Sequence, residues 1–295
     1  MIDQHAVDAS NWIVVVGRSN FEKASHSLQQ MLRDLQPDGF AVHTFETRKV
    51  QRSQRMNAWL QALWGGVVVR WSARYPHRRW LQKCFKGAWL LVHPSQWDFS
   101  RLKGLTANDV AATELCQLLQ SWHQQWPERW INVLAHSAGG IVACRVEDQP
   151  NLRRVVCFGY PFKHPQHGEE PFRTSHLQQM CKPVLMIQGL RDEYGNAQQA
   201  QRSYKLSDSI RLVDIDADHN CDDLSAGEYQ RTLQQVVEFF KESGSNNRGQ
   251  IPIAWGACWT PDQVRGDSFC LSYRARPGIW SRGVANVSLD RSPRH

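Results

Sequence analysis

The sequence alternates between short apolar runs and longer amphipathic stretches. Each run has the length and β-branched content of a buried parallel strand. We predict seven strands, at Trp12–Gly17, Phe40–Phe45, Ala88–His93, Trp130–Ala135, Arg154–Gly159, Val184–Gly189 and Ile210–Ile215. We predict helices at Glu22–Leu35, Ala107–Gln125, Ala138–Val146 and Ala226–Phe240. Strands that alternate with helices predict an α/β fold, with a mostly parallel central sheet flanked by helices on both faces.

Two regions depart from this alternation. Residues 48–87 are rich in Arg and Trp and precede the strand Trp130–Ala135, so we interpret them as an insertion or cap. Residues 243–249 have the composition of a flexible linker, and the chain beyond them lacks strand or helix periodicity. We therefore predict one main domain over residues 1–242 and an irregular C-terminal tail over residues 243–295.

The composition is typical of a soluble, unexported protein. With 295 residues and 41% hydrophobic content, the chain can bury a large core. Its apolar runs fall far short of the ~18 residues that span a bilayer, and its start lacks a secretory signal. The eight cysteines stand singly, without a CxxC pair, as reduced thiols do. We predict a cytoplasmic protein without a transmembrane segment.

Positive charge is concentrated around the insertion. The formal net charge is +7, and ten Arg or Lys residues but no acidic residue lie between Glu46 and Asp98. We weigh three functions for residues 48–87: a cap over a substrate pocket, an amphipathic surface for anionic lipids, and a basic aromatic patch for nucleic acid. A solvated face with a few core tryptophans is the plain structural alternative. We rank the cap first, an anionic membrane surface second, and do not expect nucleic acid as a partner.

One motif carries chemistry. Ser137 lies in the segment AHSAGG (135–140), between a predicted strand and a predicted helix. A strand, a sharp turn that carries Ser and a helix form the nucleophile elbow, usually G-x-S-x-G, and Ala135 here replaces the first Gly. The structural alternative is an ordinary Ser at a helix start. The helix start offers backbone N–H groups to an oxyanion, and we expect Ala138 to supply one.

A nucleophilic Ser needs a base, and the base needs an anion that orients it. Asp192 follows the sixth predicted strand and His219 follows the seventh, so both side chains lie at carboxyl ends of strands. The chain order Ser, Asp, His is the one that hydrolases with a nucleophile elbow use. We predict Ser137 as nucleophile, His219 as base and Asp192 as acid. Asp218 and Glu193 are alternatives for the acid.

Further segments carry a family resemblance: GYPF (159–162), RTSHL (173–177), PVL (183–185) and QGLRD (188–192). Over roughly residues 130–240 the sequence resembles the dienelactone-hydrolase-like branch of the α/β-hydrolase superfamily, a branch of small serine hydrolases. This resemblance implies the α/β-hydrolase fold and maps the Ser, Asp and His of the branch onto Ser137, Asp192 and His219. Some relatives act as subunits of complexes, so the resemblance implies no particular substrate.

The N-terminal half departs from that family pattern. Members usually carry His-Gly-Ala-Gly after the first long strand, where backbone N–H groups complete the oxyanion hole, and this chain has VGRS (16–19). Gly17 is kept, and Arg18 would provide the second backbone donor beside Ala138. The predicted strand that ends at residues 91–94 is an alternative source. The Arg18 side chain could also contact an anionic group on the substrate, although a solvated loop arginine is the simpler interpretation.

Metal and cofactor sites have little support in the sequence. His164 and His167 form a single pair without a third ligand at suitable spacing, and neither a P-loop nor a dinucleotide-binding motif occurs. We predict no metal and no cofactor.

The predicted function is a serine hydrolase that cleaves an ester or related acyl bond of a small-molecule substrate through an acyl-enzyme. One alternative is a catalytically inactive binding or scaffold protein with a hydrolase fold. Another is a lipid-active esterase at anionic membrane surfaces.

Overall fold

The elements follow one another as expected for an α/β protein. The computed structural model describes residues 11–17, 25–64, 79–94, 97, 104–167, 169–222 and 224–242. In chain order the elements are β1 (Asn11–Val16), α1 (His26–Asp34), β2 (Phe40–Phe45), α2 (Arg48–Trp64), α3 (Arg79–Val92), α4 (Ala107–Gln125), β3 (Trp130–His136), α5 (Ala138–Cys144), β4 (Leu152–Phe158), α6 (Pro171–Thr174), β5 (Val184–Gly189), α7 (Ala197–Ser203), β6 (Ile210–Ile215) and α8 (Ala226–Lys241). A short 3-10 helix, Ser175–Gln179, follows α6.

The described strands form one parallel sheet of six strands, in the order β2-β1-β3-β4-β5-β6. The chain runs from β1 to β2 on one side and then returns to place β3 on the other side of β1. At such a reversal the loops that leave two neighbouring strands diverge and open a crevice beyond their carboxyl ends. Val16 pairs with Ala135 at that point, immediately before the predicted elbow.

Helices cover both faces of the sheet, which explains why its strands are almost continuously apolar. In β1, Ile13 and Val15 belong to a buried cluster that also contains residues of α1 and α8. Trp12 points to the opposite face, because side chains alternate along a strand, and its ring lies 5.1 Å from that of Trp122 in α4. The predicted α/β fold with a mostly parallel sheet flanked by helices is confirmed.

Helix α5, which begins directly after Ser137, packs against α4 and against β1, β3 and β4. An ion pair of 2.6 Å between Arg145 and Asp109 joins the end of α5 to the start of α4. At that start Thr106 and Asp109 form a capping box, which satisfies backbone N–H groups of the first turn. The helix behind Ser137 is therefore fixed by packing along its length and by a charged contact at its end.

The predicted strand Ala88–His93 is wrong, because these residues belong to the end of helix α3 and to the residue after it. A short apolar run looks alike in a buried strand and in one side of a helix, and Ala, Leu and Trp suit a helix. Only Trp89 of this run is fully buried, whereas Leu91 and Val92 are exposed. The other six strand predictions are confirmed within one or two residues.

Residues 48–87, predicted to be an insertion or cap, contribute α2 and the first part of α3, and these two helices contact each other. Residues 65–78 between them and the predicted tail at 243–295 lie outside the described residues. Among the helices that the structure describes, none is long and apolar enough to span a membrane.

Candidate active site

The turn between β3 and α5 holds Ser137 in a strained backbone conformation. Its φ is +53° and its ψ is −127°, which a non-glycine residue adopts only when the surroundings enforce it. Two backbone hydrogen bonds brace the turn: Ser137 N–H donates to the Phe158 carbonyl at 2.9 Å, and Gly140 N–H donates to the Ser137 carbonyl at 2.8 Å. Neighbouring backbone groups therefore hold Ser137 in this conformation at the carboxyl edge of the sheet.

Two glycines let helix α5 approach its neighbours closely. A Cβ on Gly139 would lie 2.1 Å from the Val16 carbonyl oxygen, at the end of β1. A Cβ on Gly140 would lie 2.8 Å from the Tyr160 ring. Any side chain at Gly139 would push the helix away from β1, and the geometry of the turn depends on that contact.

Three polar side chains meet at the carboxyl edge of the sheet. Ser137 Oγ lies 2.9 Å from Nε2 of His219. Nδ1 of the same imidazole lies 3.0 and 2.9 Å from the two carboxylate oxygens of Asp192. The Asp192 side chain is completely buried, and that of His219 is 17% exposed. The structure thus brings together the three residues predicted as nucleophile, base and acid.

The two alternative acids lie elsewhere. Asp218 uses its carboxylate within its own turn, where it accepts hydrogen bonds from the N–H groups of Asn220 and Cys221 at 2.9 and 3.0 Å. Glu193 is exposed to solvent. Asp192 is therefore the carboxylate that orients His219, and its Oδ1 also accepts the Tyr194 N–H at 2.8 Å.

The loop that carries His219 is held against the strand ends and against α1. A Cβ on Gly159, whose φ is +55°, would lie 2.8 Å from the His219 carbonyl oxygen. On the other side of the loop, the N–H of His26 in α1 donates to Asp222 at 2.7 Å, and the Ser27 hydroxyl donates to the Asp222 carbonyl at 3.3 Å. These contacts fix the position of the imidazole relative to Ser137.

A buried amide fixes the loop that carries Asp192. Gln188, fully buried at the end of β5, accepts the Tyr160 N–H at 2.5 Å and donates to the carbonyls of Tyr160 and Gly195 at 3.0 and 2.6 Å. The side chain thus ties β5 to the chain after β4 and to the turn after Asp192. All its hydrogen-bonding atoms are used, as burial of an amide requires.

The sequence prediction missed two residues that contact His219. The Tyr194 ring lies 4.4 Å from the imidazole, centroid to centroid, at an interplanar angle of 36°. The Nε2 atom of His136 lies 3.3 Å from the His219 carbonyl oxygen, and burial lowers the pKa of His136, which favours a neutral imidazole there. His136 stands inside the elbow motif and was detectable by position, whereas no sequence signal marks the orientation of the Tyr194 ring.

The residues predicted for an oxyanion hole are only partly described. Ala138 is the first residue of α5, where the initial N–H groups have no acceptor within the helix. Arg18 lies outside the described residues. Gly17, the residue before it, is close to the elbow, since a Cβ on Gly139 would lie 3.2 Å from the Gly17 nitrogen. The alternative donor at residues 91–94 was predicted from a strand end, but that segment ends a helix.

Among the described residues, no group of three or more His, Cys, Asp or Glu side chains lies close enough together to hold a metal ion. The rings of His164 and His167 stack on each other at 4.2 Å, and the Tyr194 ring lies 6.1 Å from that of His164.

Comparisons with known proteins identify one matching family model and several solved structures that are similar to this chain. Residues 106–243 match the family model described as an alpha/beta hydrolase domain. Similar solved structures include a dienelactone hydrolase from Anabaena variabilis (16% identity, 79% of this chain and 86% of that chain, TM-score 0.47). An esterase from Pyrococcus furiosus is 14% identical over 79% of this chain and 81% of its own, with a TM-score of 0.45. No protein with a curated description matches the sequence.

The matched segment includes β3, the elbow and the loops that carry Asp192 and His219, whereas β1 and β2 lie outside it. The six-stranded parallel sheet with helices on both faces is the architecture of that family. Residues 106–243 are therefore similar to the α/β-hydrolase domain family, and the described sheet has the α/β-hydrolase fold.

Proposed function

We propose that the protein is a serine hydrolase that cleaves an ester or related acyl bond of a small molecule. One observation carries the proposal: the Ser137 hydroxyl, the His219 imidazole and the Asp192 carboxylate are joined by contacts of 2.9 Å at a strained elbow. A nucleophile within hydrogen-bond reach of a base, with the base oriented by a buried anion, is the arrangement that acyl transfer needs.

The first step forms the acyl-enzyme. Ser137 Oγ attacks the acyl carbon while its proton passes to Nε2 of His219, and the carbonyl bond opens to an oxyanion. Asp192 accepts a hydrogen bond from the Nδ1–H of the imidazole, which leaves Nε2 free to act as base, and the carboxylate stays ionised and stabilises the imidazolium. When the tetrahedral intermediate collapses, Nε2 returns the proton to the departing alcohol oxygen and the carbonyl re-forms.

The oxyanion requires donors that are in place before the reaction. The Ala138 N–H lies at the start of α5, directly after Ser137. The Arg18 N–H is the proposed second donor, and the proximity of Gly17 to Gly139 supports it. The partial positive charge of the helix N-terminus favours the same negative oxygen.

The second step releases the acid. A water molecule gives a proton to His219 Nε2 and attacks the acyl carbon, and the second tetrahedral intermediate expels Ser137 Oγ, which takes that proton back. Tyr194 and His136 act as positioning residues in both steps, because they hold the ring and the backbone of His219.

The test is hydrolysis of a panel of p-nitrophenyl esters of increasing acyl length. We expect Ser137→Ala to lower kcat by at least about 10⁴-fold, because the members of a triad act as a unit. Ser203→Ala, which removes the hydroxyl of an exposed serine in α7, is the matched control and should retain full activity. Equal turnover by Ser137→Ala and the wild type would refute the proposal. A folded wild type without turnover on any ester would favour the alternative of a binding protein.

A further inference from the structure

Helix α3 exposes its apolar side to solvent. Positions 84, 87, 88, 91 and 92 follow the i, i+3, i+4, i+7, i+8 spacing of one helical stripe, and they hold Cys, Gly, Ala, Leu and Val. All five residues are exposed, and Leu91 and Val92 reach 75% and 69% exposure. In an ordinary surface helix such a stripe faces the core. Among the α3 residues whose burial is described, only Trp89, on the opposite side, is buried.

An indole adds to this surface at the end of the helix. Trp97 donates its Nε1–H to the Leu90 carbonyl at 2.8 Å, which holds the ring against the last turn of α3. The residue is 49% exposed. Trp97, Leu91 and Val92 are three of the six large hydrophobic residues that the structure exposes among its described residues, and they lie within one short segment. An indole with one apolar side and one polar end suits the boundary between water and lipid.

The charges around α3 favour an anionic partner. On α2, which contacts α3, Arg48, Lys49 and Arg55 are exposed, and on α3 itself Lys83 is exposed. The sequence has no acidic residue between Glu46 and Asp98. Residues 250–295 carry six arginines against three aspartates, so they have the same sign of charge and are not complementary to these helices.

We propose that the apolar stripe of α3 docks on an anionic phospholipid bilayer. Leu91 and Val92 enter the acyl boundary, Trp97 lies at the headgroup level, and the cations of α2 and α3 contact lipid phosphates and carboxylates. This combination of an apolar stripe and Lys or Arg beside it is what interfacial helices use. Nucleic acid explains the cations but gives no role to exposed Leu91 and Val92.

This surface goes beyond the proposed hydrolase activity and does not depend on it. The stripe contains neither the elbow nor either loop of the site, so the two proposals can fail separately. A soluble p-nitrophenyl ester reports on the site alone, and vesicle binding reports on α3 alone.

Flotation of the full chain with vesicles tests the proposal. We expect binding to phosphatidylcholine vesicles that contain phosphatidylserine and little binding to pure phosphatidylcholine. Raising the salt from about 0.1 M to about 1 M should release the protein, because the Debye length falls from ~10 Å to ~3 Å. Leu91→Glu/Val92→Glu should lower the partition coefficient by roughly tenfold or more, since two apolar side chains no longer enter the lipid.

The matched control adds two acidic residues at other exposed apolar positions. Trp130→Glu/Phe172→Glu replaces side chains of residues that are 53% and 42% exposed, and it should float as the wild type does. Circular dichroism confirms that both double variants fold. The proposal is overturned if the wild type does not float, if it binds neutral vesicles equally well, or if the α3 variant floats unchanged. Preferential binding to single-stranded RNA, unaffected by the α3 variant, would also overturn it.

Discussion

The carboxyl edge of the sheet buries a charged side chain, whereas the surface of α3 exposes apolar side chains. At the sheet edge, Asp192 is completely buried and shares its carboxylate between His219 and a backbone N–H. On α3, Leu91 and Val92 are largely exposed, and the nearby cations face solvent. Each arrangement costs free energy when it stands alone. A buried charge loses its hydration, and an exposed apolar stripe restricts the water molecules that surround it.

The two regions differ in the interactions that offset this unfavourable free energy. At the sheet edge the compensation is internal, since the buried Asp192 carboxylate accepts hydrogen bonds from His219 and from the Tyr194 N–H. On α3, no described residue covers Leu91 and Val92, so their exposure to water is not offset within the described part of the protein. Insertion into a bilayer would remove these side chains from water. Changes at the sheet edge should therefore affect chemistry and folding, whereas changes on α3 should affect association.

After Ser137→Ala, the largest effect expected at the sheet edge comes from Asp192→Asn. The amide would turn its NH2 toward Nδ1 of His219 and place the imidazole proton on Nε2, where the ring can no longer accept the Ser137 proton. We expect kcat for a p-nitrophenyl ester to fall by roughly 10³- to 10⁴-fold. Glu193→Gln, which makes the same chemical change on the exposed neighbour, should leave kcat unchanged. Similar kcat values for the two variants would remove Asp192 from the mechanism.

Gly139→Ala at the elbow and Gly87→Ala in α3 test how tightly each glycine is packed. Gly139→Ala places a Cβ 2.1 Å from the Val16 carbonyl oxygen, so the elbow helix must move, and we expect a loss of about 3 kcal/mol in the free energy of unfolding. In α3, a Cβ on Gly87 meets no atom within 4 Å. Gly87→Ala should therefore stabilise the protein by about 0.5–1 kcal/mol, because Ala favours a helix. Urea unfolding measures both, and equal effects of the two variants would contradict the close packing of the elbow.

A half-buried histidine that contacts the Tyr160 hydroxyl predicts a pH dependence of stability. Burial, with a contribution from the Arg145 charge, lowers the pKa of His176 from 6.5 to about 4. Between pH 6.5 and about pH 4, His176 therefore binds a proton in the unfolded chain but stays neutral in the folded protein. The resulting stability is fully present above pH 6.5 and is lost as the pH falls toward 4, a difference on the order of 2 kcal/mol at pH 4.5.

His176→Gln isolates this effect, because Gln does not titrate and can still contact the Tyr160 hydroxyl, which lies 3.2 Å from His176 Nε2. The variant should lose less stability than the wild type between pH 7 and pH 4.5, when urea unfolding is followed at both values. Parallel losses in the two proteins would show that other groups account for the pH dependence.

A smaller effect is expected from the ring that packs against His219. Tyr194→Leu removes an aromatic face that favours the imidazolium formed during acyl transfer, and kcat should fall by roughly tenfold. Tyr194→Phe keeps the ring and should retain nearly all activity. If both variants lose activity equally, the hydroxyl rather than the ring face is important.

The fold could be predicted from the sequence wherever a short apolar run was clearly bounded by polar or turn residues. All six strands of the sheet fit that description. The exception is Ala88–His93, since a short apolar run looks alike in a buried strand and in one side of a helix, and the exposed side of this helix is apolar. Periodicity identifies a helix by assuming that its apolar side is buried, and the end of α3 violates that assumption.

The meeting of Ser137, Asp192 and His219 was predictable because each follows a strand, and parallel strands bring their carboxyl ends to one edge. The family resemblance assigned the same residues. The contact of the Tyr194 ring with His219 was not predictable, because it depends on how two loops face each other. Asp192 was preferred over Asp218 from the sequence, and the structure places Asp192 against Nδ1 of His219 while Asp218 contacts its own turn.

The central claim is that Ser137 is an activated nucleophile, and covalent labelling tests it most directly. The folded protein would be treated with a fluorophosphonate probe, and the labelled peptide would be identified by mass spectrometry. We predict a single modified residue, Ser137, with labelling lost in Ser137→Ala and retained in Ser203→Ala. A folded wild type that resists the probe, or a label on another residue, would contradict the account.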